Sequence, residues 1–362
     1  MTKRISGNKH LSRPVPPAAS AAIARELLRI VGENNGDPRL ILAKAGLAQA
    51  ATALLGNGGR VALTHAEFAT LYAHCTWELD ARASRQEGRE PLRKPDFDLL
   101  CHSVITCRTL REVIDRTAAF SDMLFPRMGR VSLSIDGPTA VLQMDSQRKI
   151  FNACAYLSDL TGLSSFHRLF GWLIGEEFEL LEILMAYPPL LSERTVSRLM
   201  PSPIDHRAPQ NSLRFVADYL ERPLVRSPAE LEKLLHHFPF DLEEPQSKET
   251  PLSQRLAQIL DTALASGDPL PTAARLARQF GISLATLKRR LIEEGTALSQ
   301  IKADRRRELV ERLLLDQRLA VGEIARRSQY SDAGALGRAF HNWTGLSPYR
   351  WRRFHCQMAR AD

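Results

Sequence analysis

The chain has 362 residues and a formal net charge of +8, long enough to bury two separate cores. Its five cysteines (Cys75, Cys101, Cys107, Cys154, Cys356) are odd in number and scattered, and form no CxxC pair. His74-Cys75 and Cys101-His102 are neighbours rather than spaced ligands, so a disulfide frame and a zinc site are both disfavoured and a reducing cytosol is expected.

Residues 1–20 carry basic residues and prolines but no apolar run, which reads as a disordered arm and not as a secretion signal. No stretch of about twenty apolar residues follows, so no membrane span is expected and the protein reads as cytoplasmic. Helical periodicity covers 21–31, 39–45, 63–77 and 109–120, where Leu110, Val113, Ile114 and Ala118 share a face. Val131, Leu133 and Ile135 then alternate with polar neighbours, Asp136-Gly137-Pro138-Thr139 turns the chain, and Ala140, Leu142 and Met144 alternate back, which predicts a hairpin. Residues 150–174 read as one long apolar helix or a broken pair. The runs 178–186 and 213–220 read as strands, with helices over 190–199 and 231–238. The expected first domain, 21–242, is therefore α+β, with helices around a small antiparallel sheet. The polar run 243–251 carries two prolines and reads as a linker, and everything after it is helical.

That last segment holds the charge. From Leu252 to His355 there are eighteen Lys and Arg against ten Asp and Glu, so the whole excess of +8 lies there and the remainder balances. Basicity confined to one domain is the footprint of a polyanionic partner, most simply double-stranded DNA. The same segment writes one supersecondary unit twice, about fifty residues apart, at 272–294 and 321–344. Leu276, Ala277, Ile282 and Ser283 recur as Ile324, Ala325, Tyr330 and Ser331. Leu287, Arg289 and Leu291 recur as Leu336, Arg338 and Phe340.

In the first unit Thr272 is placed to cap a helix, Gly281 to end it in the left-handed conformation, and Ser283 to cap the next. Leu287 and Leu291 point inward, which leaves Ala285, Thr286, Lys288, Arg289 and Arg290 outward, where Lys and Arg meet guanine edges or phosphates. A connecting helix is expected over 298–316. Its Arg305, Arg306 and Arg307 are open to two roles, touching phosphate or pairing with Glu308 and Glu311. In the second unit Ser331, Asp332, Ala333 and Arg338 fall at the corresponding outward positions.

Residues 252–353 resemble the AraC/XylS family of bacterial transcription regulators. The resemblance rests on Arg306 with Leu313-Leu314, on Ile324-Ala325, Tyr330-Ser331-Asp332, Leu336 and Arg338-Ala339-Phe340, and on the closing Trp343-Thr344-Gly345-Leu346-Ser347-Pro348 with Trp351-Arg352-Arg353. It implies two helix-turn-helix units entering successive major grooves about one helical turn apart, with RNA polymerase as a further partner. Two departures stand out. Gln329 takes a position usually held by Gly, which predicts a strained turn. The second recognition helix reads Asp332-Ala333-Gly334-Ala335-Leu336-Gly337-Arg338 and offers one strong donor, so the first unit is expected to supply most of the base readout.

Thr109-Leu110, the Val131/Leu142 hairpin, and the run Asn211-Ser212-Leu213-Arg214-Phe215 with Leu220 and Pro223 are similar to the arabinose-binding-like domain of some AraC-type regulators. This implies a first domain that binds a small-molecule effector and forms a homodimer. Phe166, His167, Phe170 and Trp172 are candidate effector contacts, although an aromatic stripe at helical spacing is more often core. Ser164-Ser165 with His167 lacks the context of an activated nucleophile, and no cofactor is called for. The chain therefore reads as a regulator rather than an enzyme, an activator first. The alternative is a repressor or a nucleoid-type protein whose first domain only oligomerises.

Overall fold

In a computed structural model, the protein is described over residues 17–56, 61–236, 238–240 and 251–358, with two compact units among them. Residues 17–220 with 228–240 form the first and residues 221–227 with 251–358 the second. Of the expected arm over 1–20, residues 17–20 are helical and the rest lie outside the described residues, as does the expected linker over 243–251 apart from Pro251.

The first unit opens with α1 (Pro17–Glu33), four residues earlier than its periodicity suggested. Helices α2 (Pro38–Lys44), α3 (Ala51–Leu55), α4 (His65–Gln86), α5 (Lys94–Val104) and α6 (Leu110–Leu124) follow. Local chemistry sets their starts. Asp37 caps α2, Thr64 and Glu67 form a reciprocal capping box on α4, and Thr109 accepts from the Glu112 N–H at the head of α6.

The hairpin forms where the alternation placed it, as β1 (Arg130–Asp136) and β2 (Thr139–Asp145), with Val131 opposite Met144 and Leu133 opposite Leu142. Gly137 takes the turn at φ +56°. Ile135 is 47% exposed despite its place in the pattern, because β1 is an edge strand and Ile135 sits beside the turn. Residues 153–174 form one unbroken helix, α7 (Ala153–Ile174), capped by Asn152 and ended by Gly175 at φ +65°.

The later elements are β3 (Glu182–Met185), α8 (Glu193–Leu199), β4 (Ile204–His206), β5 (Asn211–Val216), a 3-10 turn (Ala217–Glu221) and α9 (Pro228–Leu235). Those in the runs 178–186, 190–199 and 213–220 are shorter than the run, and the helix expected over 231–238 starts three residues earlier. The sheet order is β1-β2-β5-β3-β4. Its β3–β4 pair is parallel, so the α+β class holds but the sheet is mixed rather than wholly antiparallel. A three-residue strand with one short partner carries too little alternation to be read beforehand. Helix α7 packs on β5 and on α4, which places its middle turns at the centre of the unit.

The second unit is all helix: α10 (Leu252–Ser266), α11 (Ala273–Gln279), α12 (Leu284–Glu293), α13 (Leu298–Leu314), α14 (Val321–Arg327), α15 (Ala333–Thr344) and α16 (Pro348–Met358). It has two cores. One gathers Leu256, Leu260, Leu276, Phe280, Leu287, Leu291 and Ile301, and the other gathers Val310, Leu314, Ile324, Ala325, Leu336 and Phe340. Helix α13 feeds both, the first from its N-terminal end and the second from its C-terminal end.

Candidate nucleic-acid interface and ligand cavity

The first helix-turn-helix is built by α11 and α12. The Thr272 Oγ1 accepts from the Arg275 N–H at 3.2 Å, and Gly281 turns at φ +62°. The Ser283 Oγ accepts from the Thr286 N–H at 3.0 Å. Each bond answers an N–H that a helix start leaves without a partner. Ala277 is buried in the crook, where a larger side chain would hold the helices apart. With Leu287 and Leu291 drawn into the core, α12 turns Ala285, Lys288, Arg289 and Arg290 fully outward and leaves Thr286 half-buried. Arg289 is 72% exposed and only 3.7 Å from Glu293 at its nearest, a weak pairing that leaves its donors available.

The second unit repeats the geometry with α14 and α15. The Asp332 Oδ1 accepts from the Ala335 N–H at 2.7 Å, and the Ser331 hydroxyl donates to Oδ2 at 3.1 Å. The Ala335 N–H and the Ser331 hydroxyl hold the Asp332 carboxyl below its ordinary range. Leu336 and Phe340 are buried, Tyr330, Trp343 and Trp351 pack around them, and Gly345 ends α15 at φ +72°. The outward face holds Ser331, Asp332, Ala333, Gly334 and Arg338.

In the arginine run 305–307 of α13, Arg305 pairs with Glu308 and with Asp261 at 3.5 Å, and Arg307 pairs with Glu311 at 2.8 Å. Arg306 lies with its guanidinium 5.4 Å above the Tyr330 ring, and its buried Nε has no hydrogen-bond partner. The pairing role therefore belongs to Arg305 and Arg307, and Arg306 has a packing contact of its own.

The first unit encloses a cavity of about 120 Å³. Its walls are mostly apolar, with Trp77, Phe97, Met128, Met144, Phe166 and Phe240 among them. One wall is a buried charge network. Arg148 donates to Asp80 at 2.6 Å and to Asp159 at 3.5 Å. Asp159 also accepts from the Ser146 and Tyr187 hydroxyls, both at 2.6 Å, and from the Asn211 amide at 2.8 Å. Burial pushes the Asp159 carboxyl up, against the pull of Arg148 and the three neutral donors.

Of the four predicted aromatic contacts, Phe166 and Phe170 stack with ring centroids 5.9 Å apart, but only Phe166 is in the cavity wall. Phe166 lines the cavity, Phe170 stands edge-on to Phe178 in the core, the His167 Nε2 lies 2.7 Å from the Phe178 carbonyl, and Trp172 is buried away from the cavity wall. Sequence reasoning passed over Asp80, Arg148 and Asp159, which come from segments far apart. The available signal was Asp159, the one carboxylate in α7, buried at 3% exposure among apolar neighbours.

Among the described residues no cluster of His, Cys, Asp and Glu could hold a metal ion, and no helix is long and apolar enough to cross a membrane.

Comparison with known proteins gives two family matches. Residues 36–224, just over half of the 362, match the arabinose-binding domain found at the N-terminus of AraC transcription regulators. Residues 276–353 match a helix-turn-helix domain. The HTH-type transcriptional regulator VqsM of Pseudomonas aeruginosa is 32% identical over 105 residues, 29% of this chain and 31% of its own length. The HTH-type transcriptional regulator VirS of Mycobacterium tuberculosis is 28% identical over 157 residues, 43% of this chain and 39% of its own. The matched segments thus span between 31% and 39% of those curated relatives. The crystal structure of the transcriptional regulator CdpR from Pseudomonas aeruginosa aligns over 91% of this chain and 97% of its own, at 19% identity and a TM-score of 0.31. With a family match over more than half of its length and a helix-turn-helix domain behind it, the chain belongs to the AraC family of transcription regulators.

Proposed function

We propose that the protein is a sequence-specific DNA-binding transcription regulator, an activator, whose first unit binds a small-molecule effector. The observation that carries the reading is the pair of capped helices α12 and α15, each with its own buried core and an outward face, joined through α13 in the segment that holds all the net positive charge. Two such helices enter successive major grooves, and exposed Lys and Arg supply both phosphate contacts and guanine recognition. The two helices divide the work. Helix α12 offers Lys288, Arg289 and Arg290 and reads bases. Helix α15, whose first turns hold alanine and glycine beside Arg338, mainly fixes the protein on the backbone. Homodimer formation through the first unit and contact with RNA polymerase belong to the same proposal.

The test is genome-wide occupancy followed by footprinting of the strongest site. A protected stretch of about two helical turns beside a promoter, with transcription lost on deletion of the protein, is the expected result. Uniform coating of DNA without preferred sites would favour a nucleoid-type role and overturn the proposal.

A further inference from the structure

The cavity of the first unit combines three properties that restrict what can fill it. It is small. An engineered cavity of about 150 Å³ takes benzene, so 120 Å³ fits a body of roughly six non-hydrogen atoms. It is lined mainly by aromatic and aliphatic side chains. Two of its lining residues also hold hydrogen-bond donors that the protein leaves unused. The Arg148 side chain is only 7% exposed, yet its Nη1 is buried without a partner, while its other nitrogens are held by Asp80, Asp159 and Ser158. The Nε of Arg89, on the same wall, is likewise buried and unpartnered. A buried guanidinium N–H left open is costly and calls for an acceptor.

The charge around these donors decides the kind of acceptor. Arg148 is answered by Asp80 and Asp159, and Arg89 by Glu87. Arg127, also in the wall, is answered by Asp96 and Glu90, both at 3.3 Å. Each of the three lining arginines is thus already answered by a carboxylate, and an added anion would find no unpaired positive charge in an apolar surround. A cation would meet the Arg148 guanidinium, whose open Nη1 can donate but not accept. A sugar would set several hydroxyls against aromatic walls.

We infer that this cavity is the effector site, and that it takes an uncharged molecule with a small apolar body and one accepting oxygen, of the alcohol, ketone or lactone class. The inference rests on the reading of the first unit as an effector domain. Arg148 Nη1 donates to the ligand oxygen, and Trp77, Phe166 and Phe240 enclose the body. Val131, Met144, Ser146 and Arg148 also line an open groove beside the cavity, which offers the way in.

The full-length protein is titrated calorimetrically with cyclopentanone, cyclopentanol, cyclopentanecarboxylate, cyclopentylammonium and L-arabinose. The ketone and the alcohol should bind at least about tenfold tighter than the other three, the worth of one hydrogen bond from a charged donor. Ser165→Leu, which fills the cavity from α7, should abolish that binding while the far-ultraviolet circular dichroism stays native. Leu92→Trp, at a half-buried position of the wall, is the second block should the first not fold. Tightest binding by the carboxylate or by arabinose, no binding by any probe, or undiminished binding in a folded blocked variant would each overturn the inference. Gel retardation on the footprinted site is run in parallel. Loss of DNA binding there would overturn the regulator reading and leave the cavity result standing.

Discussion

Gln329 holds on to the loop that follows α10: its Nε2 donates to the Asp268 carbonyl at 2.6 Å while its Oε1 accepts from the Leu270 N–H at 3.0 Å. Gln329 sits in the turn of the second helix-turn-helix at φ +59°, where glycine would be unstrained. The strain expected from the sequence is present, and a two-point clasp between the halves of the DNA-binding unit offsets it.

Gln329→Gly should therefore fail to stabilise. It relieves about 1 kcal/mol of backbone strain but gives up two hydrogen bonds of about 1 kcal/mol each, for a net loss near 1 kcal/mol. Gln329→Ala keeps the strain and loses the bonds, so it should be the less stable variant by a similar margin. Urea unfolding of the two variants beside the parent checks the order.

Helix α10 begins at Pro251 without a side-chain cap of its own, and Glu294 supplies one from the end of α12. Its two carboxylate oxygens accept from the Leu252 and Ser253 N–H groups at 2.7 and 2.8 Å. Burial raises this carboxyl, but the bonds from Ser253 and Leu252 outweigh it and the pKa lies below the ordinary 4.5. A depressed folded-state pKa gives stability that is complete above 4.5 and lost as the pH falls through the folded value. Glu294→Ala should cost about 0.5–1 kcal/mol at neutral pH, the low end of capping because the site is largely exposed, and nothing at a pH where the native carboxyl is protonated. Thermal melts from pH 7 downward check this: the gap should hold above 4.5 and shrink as the pH falls below it.

The two glycines of α15 should answer differently to alanine. A Cβ at Gly337 meets nothing, so Gly337→Ala should gain about 1 kcal/mol of helix stability. A Cβ at Gly334 would come within 3.0 Å of the Asp332 Oδ1, the oxygen that caps the helix, so Gly334→Ala should gain little or lose. Paired melting curves would show the contrast, and equal gains would refute it.

On DNA, Lys288→Ala or Arg289→Ala should cost about 1–3 kcal/mol and relax preference at particular bases. Arg338→Ala should weaken all sequences nearly alike and lower the salt slope by about one ion. An operator scan at two salt concentrations reads both. Stronger base preference beneath α15 than beneath α12 would reverse the assignment.

What the sequence made legible follows the range of the forces involved. Thr272, Gly281 and Ser283 act on backbone a few residues away, so their roles could be read from spacing, as could the hairpin around Gly137. Helix α5 went unread and β4 had no pattern long enough to show itself. The Asp80–Arg148–Asp159 network was hidden for another reason: Asp80 in α4 and Arg148 in the loop before α7 stand 68 residues apart, and only tertiary packing makes them neighbours. The aromatic stripe around Phe166 left core and pocket open, because a helix buried on nearly all sides puts most of its rings into core, and the ring that meets a cavity is chosen by the opposing wall.

Helix α13 gives one core Ile301 and the other Val310 and Leu314, with no loop between them. The spacing of the two reading heads is thus set by a rigid rod, about 26 Å long for its 17 residues. Heads on a flexible tether would follow half-sites that drift apart; heads on a rod cannot. One residue added to α13 would swing one head about 100° around the rod axis. The binding site inherits the same intolerance, since a single inserted base pair would shift one half-site by about 3.4 Å and a tenth of a turn, out of phase with its helix.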